Sequence, residues 1–339
     1  MSQYAARKRR AALQVAFALL LAAVLAGCAS APPLPQQPHA SSGEQAKTLR
    51  FRAMLEVLDL GSQDFLKRFL FGRAQYDLKQ PTAIDVREHW MYIADAGEGM
   101  VFKYDMQARR LEPILWAGDR VVGEISDIYI AKDLSFYVTD VEGKRVIHFS
   151  PSGRVLQIFQ DAPNISRPIA IHVDEQRRLL YVADEVYSKI VVFGFDGQPL
   201  RGYGGRGEGE GRFRIITDMI EARTGGFYVS DRIELPVQRL DDQGRYVSHF
   251  GETELVFPTA LAEDRFGRVF VSDKSDSLIK VFRRGKLIDS VGRNGYGAGE
   301  FRYISDMKLK GDTLYVVDSL NGRIQIFDVL ADDLLTASE

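Results

Sequence analysis

The sequence of 339 residues has little of the chemistry from which many protein sites are built. It contains one cysteine, Cys28, two tryptophans and five histidines. A single thiol excludes an intrachain disulfide, so the fold must be stable on its hydrophobic core alone. The histidines are dispersed along the chain, whereas a zinc site requires several ligands that converge. The composition therefore excludes a disulfide scaffold and does not indicate a zinc enzyme.

A strong net charge is also absent. The formal net charge is −2 at pH 7. Residues 1–27 contain four basic and no acidic residues, so the remainder has 40 basic and 46 acidic residues and a net charge of −6. Nucleic-acid backbones are bound by basic surfaces, so this mildly acidic balance predicts no nucleic-acid partner.

The N-terminal apolar stretch is short for a transmembrane helix. Residues 11–26 follow a basic cluster at residues 7–10, and a membrane-spanning helix needs about 20 apolar residues. The arrangement is typical of a signal peptide over residues 1–27. The stretch ends Leu-Ala-Gly-Cys at residues 25–28, which resembles the lipobox of bacterial lipoprotein precursors. The resemblance implies that Cys28 is lipidated, with palmitate among the acyl chains, and becomes the first residue of the mature chain.

Lipidation implies the membrane as one partner, because two or more acyl chains are sufficient for stable anchoring. Ala29 and Ser30 follow the cysteine, and aspartate does not. In lipoproteins of this kind, that arrangement implies the outer membrane of a bacterial envelope, facing the periplasm or the cell surface. Residues 28–48 are rich in Pro, Ala, Ser and Gln and predict a flexible tether.

A repeat occupies most of the remaining chain. Six segments read MYIAD, FYVTD, LYVAD, FYVSD, VFVSD and LYVVD, at steps of 42 to 47 residues. A strand-rich period of this length is typical of a propeller whose repeats each form one blade. We therefore predict an all-β, six-bladed β-propeller over residues 73–329, followed by an acidic tail at residues 330–339.

The last repeat lacks a fourth strand, which must be supplied from elsewhere if the ring is to close. Residues 49–58 alternate between apolar and mostly polar side chains, a strand pattern. We predict that these residues complete the sixth blade. Helical spacing of apolar residues within 62–72 predicts a short helix, so residues 49–72 form a closing strand plus helix.

The recurring cadence of Pro-x-Ala, a YVxD-type strand end and an apolar third strand resembles the NHL-repeat family of six-bladed β-propellers. The resemblance covers residues from about 80 to 328, and with the lipobox the whole chain is similar to bacterial NHL-repeat lipoproteins. The family implies the fold and leaves the activity open. Its members include protein-interaction scaffolds, RNA-binding modules and a minority of metal-dependent lyases and hydrolases.

The aspartates that end the six repeat segments are interpreted as structural. One carboxylate per blade, at a strand end, is what a turn needs to bind backbone N–H groups. The six residues are Asp95, Asp140, Asp184, Asp231, Asp273 and Asp318.

A second set of aspartates occurs in alternate repeats. Asp127, Asp218 and Asp306 stand where the other three blades have alanine, and each follows a glycine-containing connector. If the inner strands line the axis, the three carboxylates form a ring suited to a hard cation such as calcium. Without a cation or guanidinium, they would raise one another's pKa. The alternative, which we favour, is that each carboxylate accepts hydrogen bonds from the connector before it.

Three functions remain open from the sequence. We favour a lipid-anchored, non-enzymatic scaffold that docks a protein partner of an envelope complex through a propeller face, without a cofactor. The second is a calcium-dependent hydrolase or lactonase that uses the three alternate-blade aspartates. The third is a carbohydrate- or peptide-binding module, suggested by aromatic loop residues such as Tyr187 and Tyr296. Together with basic loop residues such as Arg206, they could also mark a partner surface. His172, on an inner strand, is interpreted as a partly buried strand residue, and no catalytic residue is assigned.

Overall fold

The computed structural model describes residues 48–55, 57–60, 74–97, 99–115 and 122–331. These residues form six four-stranded antiparallel sheets and one two-stranded sheet. In blades 1 to 5, four consecutive strands run from the inner to the outer edge of the sheet. The six-bladed, all-β propeller predicted from the repeat is confirmed.

The strands of the first three blades follow the repeat. Blade 1 contains β4 (Pro81–Arg87), β5 (Trp90–Asp95), β6 (Met100–Asp105) and β7 (Arg110–Leu115). Blade 2 contains β8 (Ile128–Ile130), β9 (Phe136–Asp140), β10 (Arg145–Phe149) and β11 (Val155–Phe159). Blade 3 contains β12 (Pro168–Asp174), β13 (Leu179–Asp184), β14 (Lys189–Gly194) and β15 (Pro199–Gly204).

The other three blades differ at the last fourth strand. Blade 4 contains β16 (Ile216–Glu221), β17 (Phe227–Asp231), β18 (Val237–Leu240) and β19 (Tyr246–Phe250). Blade 5 contains β20 (Pro258–Glu263), β21 (Arg268–Asp273), β22 (Leu278–Arg283) and β23 (Lys286–Gly292). Blade 6 contains β24 (Ile304–Lys310), β25 (Thr313–Asp318), a 3-10 turn (Ser319–Asn321), β26 (Arg323–Val329) and β1 (Leu49–Leu55).

The N-terminal strand closes the ring. β1 pairs antiparallel with β26, from Leu49 opposite Val329 to Leu55 opposite Ile324. The buried Leu49 side chain belongs to the core between blades 5 and 6. The predicted closing strand was too long by three residues, because β2 (Val57–Leu60) pairs instead with β3 (Ala74–Asp77).

The core consists of six hydrophobic clusters, each formed mainly by the facing sheets of two adjacent blades. The inner strands contact one another in a closed circle, from β4 through β8, β12, β16 and β20 to β24 and back to β4. No blade can bury both of its apolar faces alone, so the ring is the smallest unit with a complete core.

The glycine-rich connectors before blades 4 and 6 are compact because each surrounds one buried aromatic ring. Phe213 and Phe301 are fully buried. Gly204 has φ +74°, and a Cβ placed on it would lie 2.8 Å from the Phe213 ring. Glycine at that position therefore satisfies both the left-handed backbone and the close approach.

Several predictions concern residues outside the described ranges. These are the signal peptide over 1–27, lipidation of Cys28, the tether up to residue 47, the helix within 62–72 and the tail from residue 332. Among the residues that the structure describes, no helix is long and apolar enough to span a membrane.

Candidate functional site

The repeat aspartates join two loops at one end of each blade. Asp231 accepts hydrogen bonds from the backbone N–H of Ile215, before the inner strand, at 3.3 Å and of Ile233, after the second strand, at 2.8 Å. Similar hydrogen bonds to the connector and the following loop are made by Asp95, Asp140, Asp184, Asp273 and Asp318. This geometry is that of a carboxylate that fixes loop conformation.

The two loops joined in this way present two rim positions per blade around the mouth of the channel. The residue after each repeat aspartate donates its N–H to the carbonyl of the connector residue, as Arg232 does to Ile215 at 3.0 Å. The first rim position is occupied by Ala96, Val141, Glu185, Arg232, Lys274 and Ser319. The second is occupied by Gln80, Glu124, Arg167, Ile215, Phe257 and Tyr303.

A cavity of about 260 Å³ opens inside this rim. Each blade contributes one wall residue from the start of its inner strand, and five of the six carry a hydroxyl group. These residues are Thr82, Ser126, Ile169, Thr217, Thr259 and Ser305. The inner wall is therefore polar and uncharged, and the charged side chains lie on the rim.

The rim charge is distributed unevenly. On the side of blades 2 and 3, Arg167 pairs with Glu124 at 3.1 Å and with Glu185 at 2.6 Å. On the side of blades 4 and 5, the cations Arg232 and Lys274 lie over aromatic rings instead. One side of the mouth thus carries two carboxylates around one guanidinium, and the other carries two cations.

The three alternate-blade aspartates follow the hydroxyl-bearing residues along the inner strands and bridge adjacent blades. Each accepts a hydrogen bond from the inner strand of the next blade. The pairs are Asp127 with the Ile171 N–H at 2.8 Å, Asp218 with the Leu261 N–H at 2.7 Å and Asp306 with the Ile84 N–H at 2.9 Å. Asp85 in blade 1 makes the same type of bond to the Ile130 N–H at 2.7 Å.

The prediction that these aspartates bind the preceding glycine connectors is wrong. The connector backbone is held by other side chains: Gln238 accepts from the Gly211 N–H and Gln325 from the Gly299 N–H, both at 2.8 Å. The aspartates point toward the neighbouring blade, where the next inner strand offers an N–H group within reach.

Lys308, on the inner strand of blade 6, supplies the positive charge of the channel. Its ammonium lies 3.0 Å from Asp127 and 3.7 Å from Asp306. Burial acts to lower the pKa of Lys308, but the surrounding aspartates raise it well above its usual value. Burial raises the pKa of Asp218 to about 7 and that of Asp306 to about 6, and the Lys308 charge opposes both shifts.

This arrangement does not resemble a calcium site. Asp127, Asp218 and Asp306 each bind the next blade through one oxygen, and a lysine ammonium stands between two of them. Within the described ranges, no group of three or more His, Cys, Asp or Glu side chains is placed to hold a metal ion. The geometry therefore gives no support to a metal role for these three residues.

His172 lies among aromatic rings on β12. Its ring is 5.7 Å from Phe227 and 6.5 Å from Tyr129, both edge-on, and its side chain is 16% exposed. Burial lowers the pKa of His172 to about 4, so the imidazole is neutral near pH 7. Its carboxylate neighbour, Glu221, is 3.6 Å away and itself half exposed.

Sequence reasoning missed Lys308 as the channel cation and Arg232 and Lys274 as rim cations. The rim residues have a simple signal, since each directly follows a repeat aspartate. Lys308 has no such signal, because its contact with Asp127 in blade 2 depends on the width of the closed channel. The loop residues Tyr187, Arg206 and Tyr296 are not among those that line the mouth cavity.

Comparisons with known proteins agree on the fold. A family model described as DUF5128, a 6-bladed beta-propeller, matches residues 260–335. A solved structure of a protein of unknown function from Bacteroides thetaiotaomicron is 15% identical, with a TM-score of 0.60 over 82% of this chain and 76% of that chain. Virginiamycin B lyase from Staphylococcus aureus is 11% identical, with a TM-score of 0.57 over 82% of this chain and 99% of that chain.

A streptogramin B lyase structure is also similar, at 11% identity and a TM-score of 0.58 over 86% of this chain and 90% of that chain. At such identities the likeness establishes the propeller fold alone. Similar propellers carry unrelated functions, so the function of this chain must be argued from its own site.

Proposed function

We propose that this protein is a non-enzymatic scaffold that docks a protein partner through the propeller face bearing the channel mouth. The observation that carries the proposal is the rim itself, where six blades present charged, aromatic and polar side chains on backbone fixed by the repeat aspartates. A pre-organised rim binds with little loss of conformational entropy. The channel acids, in contrast, are engaged in holding the blades together.

We further propose that the scaffold is anchored to the outer membrane of a bacterial envelope through lipid on Cys28. The support is the lipobox-like sequence at residues 25–28 and the tether-like composition that follows it. A tether of about 20 flexible residues has an average span of roughly 25 Å, which leaves the propeller free to turn either face toward a partner.

The docking proposal is tested by affinity capture from detergent-solubilised envelopes with the full-length chain as bait. The wild type is compared with a mouth variant, Glu124→Lys with Arg232→Glu, and with a control, Lys132→Glu. Lys132 is an exposed residue in the turn after β8, at the opposite end of the inner strand. We expect one or more proteins to be retained by the wild type and the control and lost from the mouth variant. Equal retention by all three baits, or retention of no protein, would contradict the proposal.

The anchoring proposal is tested by labelling cells with radioactive palmitate. We expect label in the wild-type protein and none in Cys28→Ser. Equal label in both proteins, or no label in the wild type, would argue against a lipid anchor at this residue.

A further inference from the structure

Two cations stand at equivalent positions on adjacent blades of the rim. Arg232 and Lys274 each follow a repeat aspartate, and their backbone N–H groups donate to Ile215 at 3.0 Å and to Phe257 at 2.9 Å. Both side chains therefore start from a fixed backbone on the same side of the mouth.

The two cations share an aromatic platform. The Arg232 guanidinium carbon lies 5.0 Å from the Phe257 ring centroid. The Lys274 ammonium lies 5.3 Å from the same centroid and 4.9 Å from that of Tyr303. Contact with ring faces holds the charged groups in place and displaces part of their water, and it leaves N–H donors directed elsewhere.

Neither cation is neutralised by a carboxylate. Among the described residues, ion pairs within 4 Å are formed by Arg167 on the opposite side of the mouth, with Glu124 and Glu185, and none is formed by Arg232 or Lys274. Arg232 is half-buried and Lys274 is exposed. The rim thus holds two adjacent positive charges that are open to an anionic ligand.

We propose that Arg232 and Lys274, over Phe257 and Tyr303, bind a carboxylate of an acidic peptide segment; this inference rests on the proposed docking function and specifies its ligand. A guanidinium offers two parallel donors that match a carboxylate, and an adjacent ammonium adds a third. The adjoining cavity of about 260 Å³, which Arg232, Phe257 and Tyr303 line and Lys274 does not, accommodates a side chain or chain end and not a folded domain. Glu124 and Glu185 across the mouth disfavour a polyanion that would cover the whole rim.

The experiment measures binding of fluorescein-labelled hexaglutamate by the full-length chain in detergent micelles, using fluorescence anisotropy. Hexaglutamine and hexagalacturonate carry the same label as comparison probes. The test variant is Arg232→Gln with Lys274→Gln. The matched control is Lys103→Gln with Arg201→Gln, which removes two cations that also lie near aromatic rings, 3.9 Å from the Trp90 ring centroid and 5.7 Å from that of Tyr203, but occupy neither of the two rim positions.

We expect hexaglutamate to bind the wild type and the control at least about tenfold more tightly than it binds the test variant. Hexaglutamine is expected to bind all three proteins weakly. Equal hexaglutamate affinity for the test variant and the control, equal binding of hexaglutamine, or tighter binding of hexagalacturonate would overturn the proposal. The thermal midpoint of the test variant shows whether it is folded.

The outcomes separate this inference from the docking proposal. If a captured protein is retained equally by the wild type and by Arg232→Gln with Lys274→Gln, docking stands and the carboxylate site is rejected. If hexaglutamate binding depends on the two cations but capture retains no protein, the carboxylate site stands and the scaffold proposal is rejected.

Discussion

The channel interior and the rim around its mouth both carry charged side chains, but they use them differently. Inside, the carboxylates of Asp127, Asp218 and Asp306 bind the backbone of the next blade, and Lys308 contacts two of them. On the rim, Arg232 and Lys274 have aromatic neighbours and no carboxylate among the described residues. The comparison indicates that charge inside the ring serves assembly, whereas two of the cations at its edge have no carboxylate within ion-pair distance among the described residues.

The interior also explains why the repeat alternates between two kinds of blade. The even blades carry an aspartate that bonds to the following odd blade. Two of the odd blades carry a threonine hydroxyl that bonds to a carbonyl of the following even blade, Thr82 to Ile125 at 2.8 Å and Thr259 to Ile304 at 2.9 Å. Adjacent inner strands are therefore joined by side chains, since they form no shared sheet.

The largest loss in the free energy of unfolding is expected from Asp127→Ala. The substitution removes the acceptor of the Ile171 N–H and the shortest contact of the Lys308 ammonium. Removing one partner of a buried ion pair costs about 3–5 kcal/mol, and we expect a decrease of this size in the free energy of unfolding in urea. Asp196→Ala, in an exposed turn, is the control and should cost less than about 1 kcal/mol.

A double substitution shows whether the stability loss in Asp127→Ala arises from the Lys308 ammonium that the missing carboxylate leaves behind. Adding Lys308→Met to Asp127→Ala removes the ammonium that has lost its shortest carboxylate contact and keeps only Asp306 at 3.7 Å, so the double variant should be more stable than the sum of the two single losses predicts. Strict additivity, or a loss below about 1 kcal/mol for Asp127→Ala, would mean that the interior charges do not hold the blades together.

The sequence was sufficient for the fold because its signals are local. The YVxD strand ends repeat every 42 to 47 residues, and the missing fourth strand of the last repeat indicated that residues 49–58 close the ring, of which β1 uses Leu49–Leu55. The partners of Asp127 and Lys308 were not predictable in this way. Those contacts join blades 2, 3 and 6, and they follow from the channel width and the orientation of adjacent inner strands, which no local pattern encodes.

Protonation of Asp218 makes the stability of the fold depend on pH. Burial raises the pKa of this carboxyl to about 7, with Asp127 and Asp306 acting in the same direction, whereas in the unfolded chain it is about 3.9. Between these values the folded state holds a proton that the unfolded state has released, so stability falls as pH rises from about 4 to about 7. The slope for one proton is at most about 1.4 kcal/mol per pH unit.

Asp218→Asn removes this titration, because asparagine keeps an acceptor for the Leu261 N–H and does not ionise. Asp306, with a pKa of about 6, titrates in both proteins, so the Asp218 contribution is read from the difference between them. Urea unfolding at several pH values between 4.5 and 7.5 should show the wild type losing stability relative to the variant as pH rises. Asp273 does not interfere: burial acts to raise its pKa, but hydrogen bonds from Ser275, the Val256 backbone and Lys280 lower it to about 2. If the difference in free energy of unfolding between the wild type and Asp218→Asn did not change with pH, the Asp218 carboxyl would be solvated and its pKa would not be raised.

A smaller effect is expected at the one odd blade that lacks the threonine bridge. Ile169 in blade 3 occupies the position of Thr82 and Thr259. Ile169→Thr should donate to the carbonyl of Ile216, the residue equivalent to Ile125, whereas Ile169→Val has the same shape without a hydroxyl. We expect the threonine variant to be more stable than the valine variant by about 1 kcal/mol in urea unfolding. If valine is equal or better, the hydroxyl bridges do not contribute to blade contact.

A small effect on the free energy of unfolding is expected at the rim. Substitutions there test directly whether the rim charges differ in role from those inside the channel. Arg232→Gln and Lys274→Gln each remove a charge that has no carboxylate partner among the described residues. Each should therefore lower the free energy of unfolding only by the contribution of its cation–aromatic contact, about 1 kcal/mol for the exposed Lys274 and at most about 2 kcal/mol for the half-buried Arg232. Hexaglutamate binding should nevertheless weaken in both variants. The affinity of the wild type for hexaglutamate should also fall as the salt concentration rises from about 0.05 to 0.5 M, because salt screens exposed charges. If a rim substitution lowered the free energy of unfolding as much as Asp127→Ala does, the rim cations would also be needed to hold the blades together. The proposed difference between the channel interior and the rim would then be wrong.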